Sequence, residues 1–298
     1  MKLRGGKFDW CAKIVRMILR IALVLWLIMS YGFAVELRVD HITVAGKDLG
    51  AMRKRLMAIG LPSEYGGKHT NHATEMAIVS FQDGSYLELI GVQPDADPKM
   101  VALHPWAKFL AGTPEPCGWA VRADDLTAEV NRLRAAGVKA EDPTPGARRR
   151  PDGQMLEWQT AQVGEGHGAF FPFLIHDETQ RELRAFPSGK PNAMDFAGVS
   201  KVIVGVRDLN AAVSSYRKTY GLAAPRIEAD SAFGATLAYF DGSPVALAAP
   251  LDGKGWLAER IARLGDAPCA FVLRRKSGAA KRVAWYDTEA LGWRLGAE

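Results

Sequence analysis

Asp40–Leu61 reads DHITVAGKDLGAMRKRLMAIGL, and Ser200–Leu222 reads SKVIVGVRDLNAAVSSYRKTYGL. Each opens on a β-branched strand, continues through Asp-Leu into a segment of helix length, and stops at Gly-Leu. Asp48 and Asp208 stand where a side chain caps the free amides of a helix start, and Gly60 and Gly221 where a left-handed residue ends it. The likeness runs on downstream: FQDGSYLELIGV from Phe81 aligns with YFDGSPVALAAP from Tyr239, each holding Asp-Gly-Ser, the turn of a hairpin. A unit repeated at this distance decides the architecture before any single residue does.

A weaker third copy, CGWAVRADDLTAEVNRLRAAGV, begins at Cys117 and is followed by the strand candidates MLEWQTAQV and AFFPFLIHD. The tail, PCAFVLRRKSGAAKRVAWYDTEALGWRL, offers strands without a clear helix, as a shortened fourth copy would. Each unit reads β-α-β-β, with room for one more strand in the less regular stretch before each hairpin. The expectation is an α+β protein with residues 35–177 as one paired domain and 198–298 as a second, degenerate one. Residues 178–197, polar and punctuated by Pro and Gly, would link them.

At 298 residues with 48% hydrophobic and 24% charged residues, the composition is globular. The net charge of +5 is local. Six of the 38 basic residues and one of the 33 acidic ones, Asp9, lie in residues 1–34, which leaves 32 of each in the rest. No basic domain remains to follow a phosphate backbone, so nucleic acid is excluded as a partner. The uncharged run from Ile21 to Ala34 is short for a membrane span, which takes about 20 residues. It suits a signal-peptide core with Val35 as the mature start, an exported protein touching the membrane through that leader alone. Equally, translation starting at Met29 would leave the protein in the cytoplasm. Cys11 falls in the leader, and Cys117 and Cys269 have no C-x-x-C spacing, so a single disulfide is neither required nor ruled out.

Within FQDGSYLELIG, strand alternation puts Tyr86, Glu88 and Ile90 on one face and Leu87 and Leu89 on the other. An acid in the middle of an apolar strand needs a cation, a hydrogen-bond network or bound solvent, because leaving it uncompensated costs several kcal/mol. Tyr86, a backbone amide or a nearby arginine would serve, and so would a ligand.

The units VDHITVAGKDL, DGSYLELIG, RRRPDGQMLEW and FFPFLIHDE, in this order across residues 39–178, resemble the vicinal oxygen chelate superfamily, and within it the bacterial glyoxalase-like domain. The resemblance implies βαβββ modules paired into curved mixed sheets around a hollow that holds a divalent metal or a small ligand. It implies His41 and Glu88 as metal ligands from the first and last strands of the first module. Imidazole and carboxylate together suit Zn, Fe, Mn or Ni. The second module has Gly118 where the first has His41, and a position close to Phe173 where the first has Glu88. The third has Lys201 and Ala246 at these places, so neither can ligate. His176, or His69 or His72 on the loop GGKHTNHATE, would have to complete the sphere.

Bland roles stand beside these. His72 and His176 are taken, with Arg150, as substrate-binding residues, and His69, His72 and His176 read also as loop or strand-end polar residues. The run Arg148–Arg150 is either a solvated loop or the source of a guanidinium, taken as Arg150, that clamps a substrate anion. Trp158 and Phe173 are core or pocket wall, and Cys117 lacks a neighbouring base. Neither a P-loop nor a G-x-S-x-G elbow occurs. The expected function is metal-assisted lyase, isomerase or dioxygenase chemistry on a substrate with adjacent oxygens, with Glu88 the alternative general base. Its rival is a binding protein that sequesters a small molecule in the same hollow. In either case the partner is a small molecule, and a homodimer is left open.

Overall fold

The computed structural model describes residues 35–277 and 283–298. The leader, with the expected signal peptide and the alternative start at Met29, lies outside the described residues. Among these no helix is long and apolar enough to cross a membrane.

The first repeat folds as β1 (Val39–Ala45), α1 (Leu49–Ala58), β2 (Glu64–Lys68), β3 (Thr74–Ser80) and β4 (Tyr86–Val92). Asp48 accepts from the Ala51 amide at 2.9 Å to open α1. The irregular stretch before the hairpin supplies β2. Two short helices follow, α2 (Pro98–Leu103) and α3 (Ala107–Leu110). The second repeat is β5 (Glu115–Arg122), α4 (Leu126–Ala135), β6 (Thr144–Arg149), β7 (Met155–Ala161) and β8 (Phe173–Asp177), with Asp125 capping α4 as Asp48 caps α1. These eight strands form one sheet in the order β2-β3-β4-β1-β5-β8-β7-β6. The repeats meet at the antiparallel β1·β5 seam, and in each the first strand runs parallel to the last. At the far edges His69 bridges Arg148, and the Thr70 hydroxyl donates to the Ala147 carbonyl at 3.3 Å, so the sheet curls until its ends touch. Apolar stripes of α1 and α4 cover the outside with Leu49, Met52 and Leu56, and with Leu126, Val130 and Leu133.

After α5 (Arg181–Ala185), the pattern recurs as β9 (Phe196–Gly205), α6 (Leu209–Tyr220), β10 (Arg226–Asp230), β11 (Ala235–Tyr239) and β12 (Val245–Pro250). Then come α7 (Gly255–Leu264), β13 (Ala267–Arg275), β14 (Ala284–Trp285), α8 (Thr288–Leu291) and β15 (Arg294–Ala297). Asp208 caps α6 and Gly221, at φ 66°, ends it. The seven strands order as β10-β11-β12-β9-β13-β15-β14, the first sheet's order less its last strand. The fold is therefore the expected α+β class, repeated modules paired into curved mixed sheets. Cys117 and Cys269 are both buried and unpaired, and no disulfide joins them. Burial pushes the Cys117 thiol well above its ordinary range, which makes it inert.

Candidate functional site

Inside the first sheet lies a cavity of about 390 Å³, into which β1, β4, β6, β7 and β8 each send side chains. Strand alternation selects them: Tyr86, Glu88 and Ile90 of β4 face inward while Leu87 and Leu89 lie fully buried on the other side. Glu88 is 7% exposed, and its described hydrogen bond is a long one, from the Thr43 hydroxyl at 3.4 Å. The carboxylate is thus poorly satisfied by its own chain.

His41 reaches the same point from β1. The pairing of β1 with β5 slips between Val39 and His41, so Asp40 is an extra residue at a bulge, a device that re-aims side chains. The Asp40 carboxylate consequently turns onto its neighbour and lies 2.6 Å from His41 Nδ1. Burial opposes the charge on Asp40. Arg184 and Arg181 beside it, with the His41 hydrogen bond, outweigh burial and hold its carboxyl well below the usual carboxylate range. An ionised carboxylate can only accept, so the Nδ1 proton is fixed and Nε2 is left to face the cavity. Arg184 Nη1 and Nη2 stand 3.1 and 3.0 Å from the two Asp40 oxygens, and Arg184 also donates to Asp177 and to the Tyr86 hydroxyl. The His41 ring stacks on Tyr86 at 4.9 Å and meets Phe173 edge-on. Both rings restrict its plane.

His41 Nε2 lies 3.7 Å from one Glu88 oxygen, and His69 Nε2 lies 3.9 Å from the other. His69 is held by the Thr74 hydroxyl at Nδ1, and burial pushes it below the ordinary histidine range. Two further histidines line the wall. His104 accepts the Trp106 amide at Nδ1, His167 stacks on Phe173, and burial pushes each of them down to about 4. Met76, Trp106, Trp158 and Phe173 give the remaining lining an apolar stretch, and Asn71, Thr70, Thr160, Arg148 and Arg184 supply its other polar groups.

The second module's empty place is explained by packing. A Cβ added at Gly118 would come within 3.0 Å of both the Trp106 ring and the His167 carbonyl, so those two residues occupy the space a second-module ligand would need.

Of the residues singled out in the sequence, His41, Glu88 and His69 come together, and Trp158 and Phe173 line the wall. His72 is exposed, with φ 56°, and is not among the lining residues. His176 sits next to the inward Ile175 and so takes the other face, where Nδ1 meets the Ala123 carbonyl at 2.9 Å. Arg150 lies past the end of β6 and donates to the Leu183 and Pro187 carbonyls; of the run Arg148–Arg150 it is Arg148 that lines the cavity. Asp40, His104, Trp106, His167 and Arg184 carried no sequence signal beyond their type, except that Asp40 precedes the singled-out histidine.

A divalent metal is the group implied for such a site. Two imidazoles and a carboxylate are donors of the right kind for a first-row ion. As placed, however, no group of three or more His, Cys, Asp or Glu side chains among the described residues is arranged to hold one. His41 and Glu88 supply two donors, and His69 approaches without completing the set.

The profile of the glyoxalase-like domain family matches residues 39–220. Comparison with curated protein sequences gives no match. Among solved structures, a hypothetical protein from Staphylococcus aureus superposes with a TM-score of 0.64 at 17% identity, over 88% of this chain and 99% of that one. A mutant of 4-hydroxymandelate synthase from Streptomyces coelicolor does so with a TM-score of 0.57 at 14% identity, over 80% of this chain and 71% of that one. At such identities the likeness is one of fold.

Proposed function

The chain belongs to the glyoxalase-like domain family, and from that premise we propose that it is an enzyme that moves a proton on a small oxygen-bearing substrate, in an isomerase or lyase reaction. One observation carries this reading: with its Nδ1 proton committed to Asp40, His41 turns Nε2 toward a Glu88 oxygen 3.7 Å away. A bare lone pair facing a carboxylate in a buried site is unfavourable. A proton shared by the pair, or a substrate group between them, removes the conflict.

With the proton on Nε2, Glu88 is the base that takes hydrogen from a carbon beside a carbonyl, and the imidazolium hydrogen-bonds the oxygen on which charge develops. Asp40 stabilises that imidazolium and keeps the ring in place. His69, whose charge burial disfavours, is a third polar group beside the far carboxylate oxygen. The apolar wall excludes water and raises the strength of these interactions. Because the donor set falls short of a metal site, no step is assigned to a metal.

The test is deuterium uptake from D2O, read by proton NMR, across a panel of 2-oxo acids, 2-hydroxy acids and hydroxyketones. Wild type should accelerate exchange for one class, and Glu88→Gln and His41→Gln should each lose about 100-fold or more. Exchange at equal rates in all three proteins refutes the reading. Elemental analysis of protein purified without chelators runs beside it. A stoichiometric Zn, Fe, Mn or Ni lost from His41→Ala and Glu88→Ala would replace proton transfer with Lewis-acid chemistry. A second reading, sequestration of a small molecule, is favoured by the wall of Met76, Trp106, Trp158 and Phe173. Binding without turnover would select it.

A further inference from the structure

Two guanidiniums line the cavity, and they differ in what holds them. Arg184 is saturated by Asp40, Asp177 and Tyr86. Arg148 is as deeply buried, 2% exposed, yet its one described side-chain partner is the backbone carbonyl of Gly66. No described carboxylate lies within ion-pair distance of it. Burial pushes its guanidinium down from the ordinary arginine range, with Tyr86 and Glu88 pulling the other way. A buried cation held by a single neutral acceptor is an incomplete arrangement.

Strand β6 dictates that this arginine and not its neighbours enters. Arg148 is inward and Arg149 exposed, as alternation requires, and Arg150 is drawn off to the Leu183 and Pro187 carbonyls. Gly66 lets Met76 lie against the backbone of β2, since a Cβ there would fall 2.2 Å from its Sδ, and the Arg148 guanidinium reaches the Gly66 carbonyl beside it. Closing the sheet edge needs no charge, because the His69–Arg148 bridge is made by the backbone and any neutral donor could meet the Gly66 carbonyl. The charge itself is unaccounted for by the chain.

We propose that Arg148 anchors a carboxylate of the ligand, and that the ligand is a small carboxylic acid with a flat apolar body. This rests on the reading of the cavity as a small-molecule site. The planar fork matches a carboxylate. The body follows from the wall: Trp158 lies against Gly146, where a Cβ would fall 2.4 Å from its Nε1, and Phe173 and Trp106 stand near it in the lining.

The experiment is calorimetric titration with 3-phenylpropionate and with its neutral isostere 3-phenylpropionamide. Wild type should bind the acid at least about tenfold more tightly than the amide. Arg148→Met should erase that preference, and Arg148→Lys should retain part of it. An acid bound no better than the amide by wild type, or bound by neither, overturns the proposal, as does a preference that survives Arg148→Met. The wild-type comparison and Arg148→Lys decide the matter if Arg148→Met does not fold. Inorganic phosphate that displaces the acid at equal concentration assigns the anchor to phosphate and overturns the carboxylate. His41→Gln separates this from the proposed reaction, since it should abolish exchange and leave the acid preference intact.

Discussion

The two sheets hold the same register and opposite interiors. In the parallel pair β1·β4, Thr43 stands opposite Glu88; in the parallel pair β9·β12, Ile203 stands opposite Ala246. These are the positions that the repeat itself aligns. In the first sheet the spot opens into a cavity with four histidines and a carboxylate. In the second it is filled, because Ala246 packs with Leu257 and Ile261 of α7 and with Cys269, and Trp256 and Trp285 pack against that cluster. The backbone is set by residues the copies share, the Asp caps, the Gly stops and the Asp-Gly-Ser turns. The chemistry is set by a few inward side chains that they do not share.

The sharpest way to break the contrast is to exchange the matched pair. Ala246→Glu should place an unpaired carboxylate in a filled apolar core and cost about 3–5 kcal/mol or prevent folding, by urea unfolding. Glu88→Ala should cost less than about 1 kcal/mol or raise stability, because it removes a buried carboxylate held by one long hydrogen bond beside a cavity that already has room. Equal costs would show that the first interior is as closed as the second.

Next in size is Asp40 against its counterpart Ser200. Asp40→Ala leaves Arg184 and Arg181 with Asp177 as their one remaining shared carboxylate and strips the buried half of the cluster, which should cost about 3 kcal/mol. Ser200→Ala removes one hydrogen bond, to the Val272 carbonyl at 3.3 Å, and should cost about 1 kcal/mol. The Asp40 carboxyl is held below its unfolded value, so its contribution is present above about pH 4 and is lost as pH falls further. In Asp40→Ala that part of the acid dependence should be missing.

Leu257→Ala, in the filled interior, should cost about 2–5 kcal/mol by leaving a void. Met76→Ala, on a wall that already borders a cavity, should fall at the low end of that range or below it in the same denaturant titration.

The last contrast is a pH asymmetry. Burial holds His104 and His167 at about 4, below their unfolded value, so the unfolded chain binds protons first as pH falls through about 6.5. Stability from these groups is therefore full above that pH and declines toward pH 4, by about 1–3 kcal/mol together, with the less buried His104 giving less. Residues 178–298 contain no histidine. Hydrogen exchange across this range should show amides of β1–β8 losing protection before those of β9–β15.

The outward half of the design was legible along the chain. Asp48, Asp125 and Asp208 each cap a helix where the repeat placed an Asp, and the weak third and fourth copies do supply the strands expected of them. Such signals are local: a capping side chain bonds an amide three residues on, and a turn closes on itself. His41 and Glu88 were readable for a similar reason, since each stands at a fixed place in a repeated strand. The rest of the cavity was not. His69 and His72 are three residues apart on one loop and look alike in sequence, yet one faces Glu88 and the other solvent. Arg148 and Arg150 are likewise members of one basic run, two positions apart, and only Arg148 lines the cavity.

By itself, then, the sequence determined the repeats, their helices and hairpins, the class of fold, and which copy kept an acid and an imidazole. Tertiary structure alone decided which loop histidine meets that acid, which arginine enters the cavity, and that Asp40 orients His41 from within a cage of Arg181 and Arg184. The reason is distance along the chain. Arg148 meets Gly66 across 82 residues and Arg184 meets Asp40 across 144, and contacts of that span arise only when a sheet curls and an intervening helix docks on it.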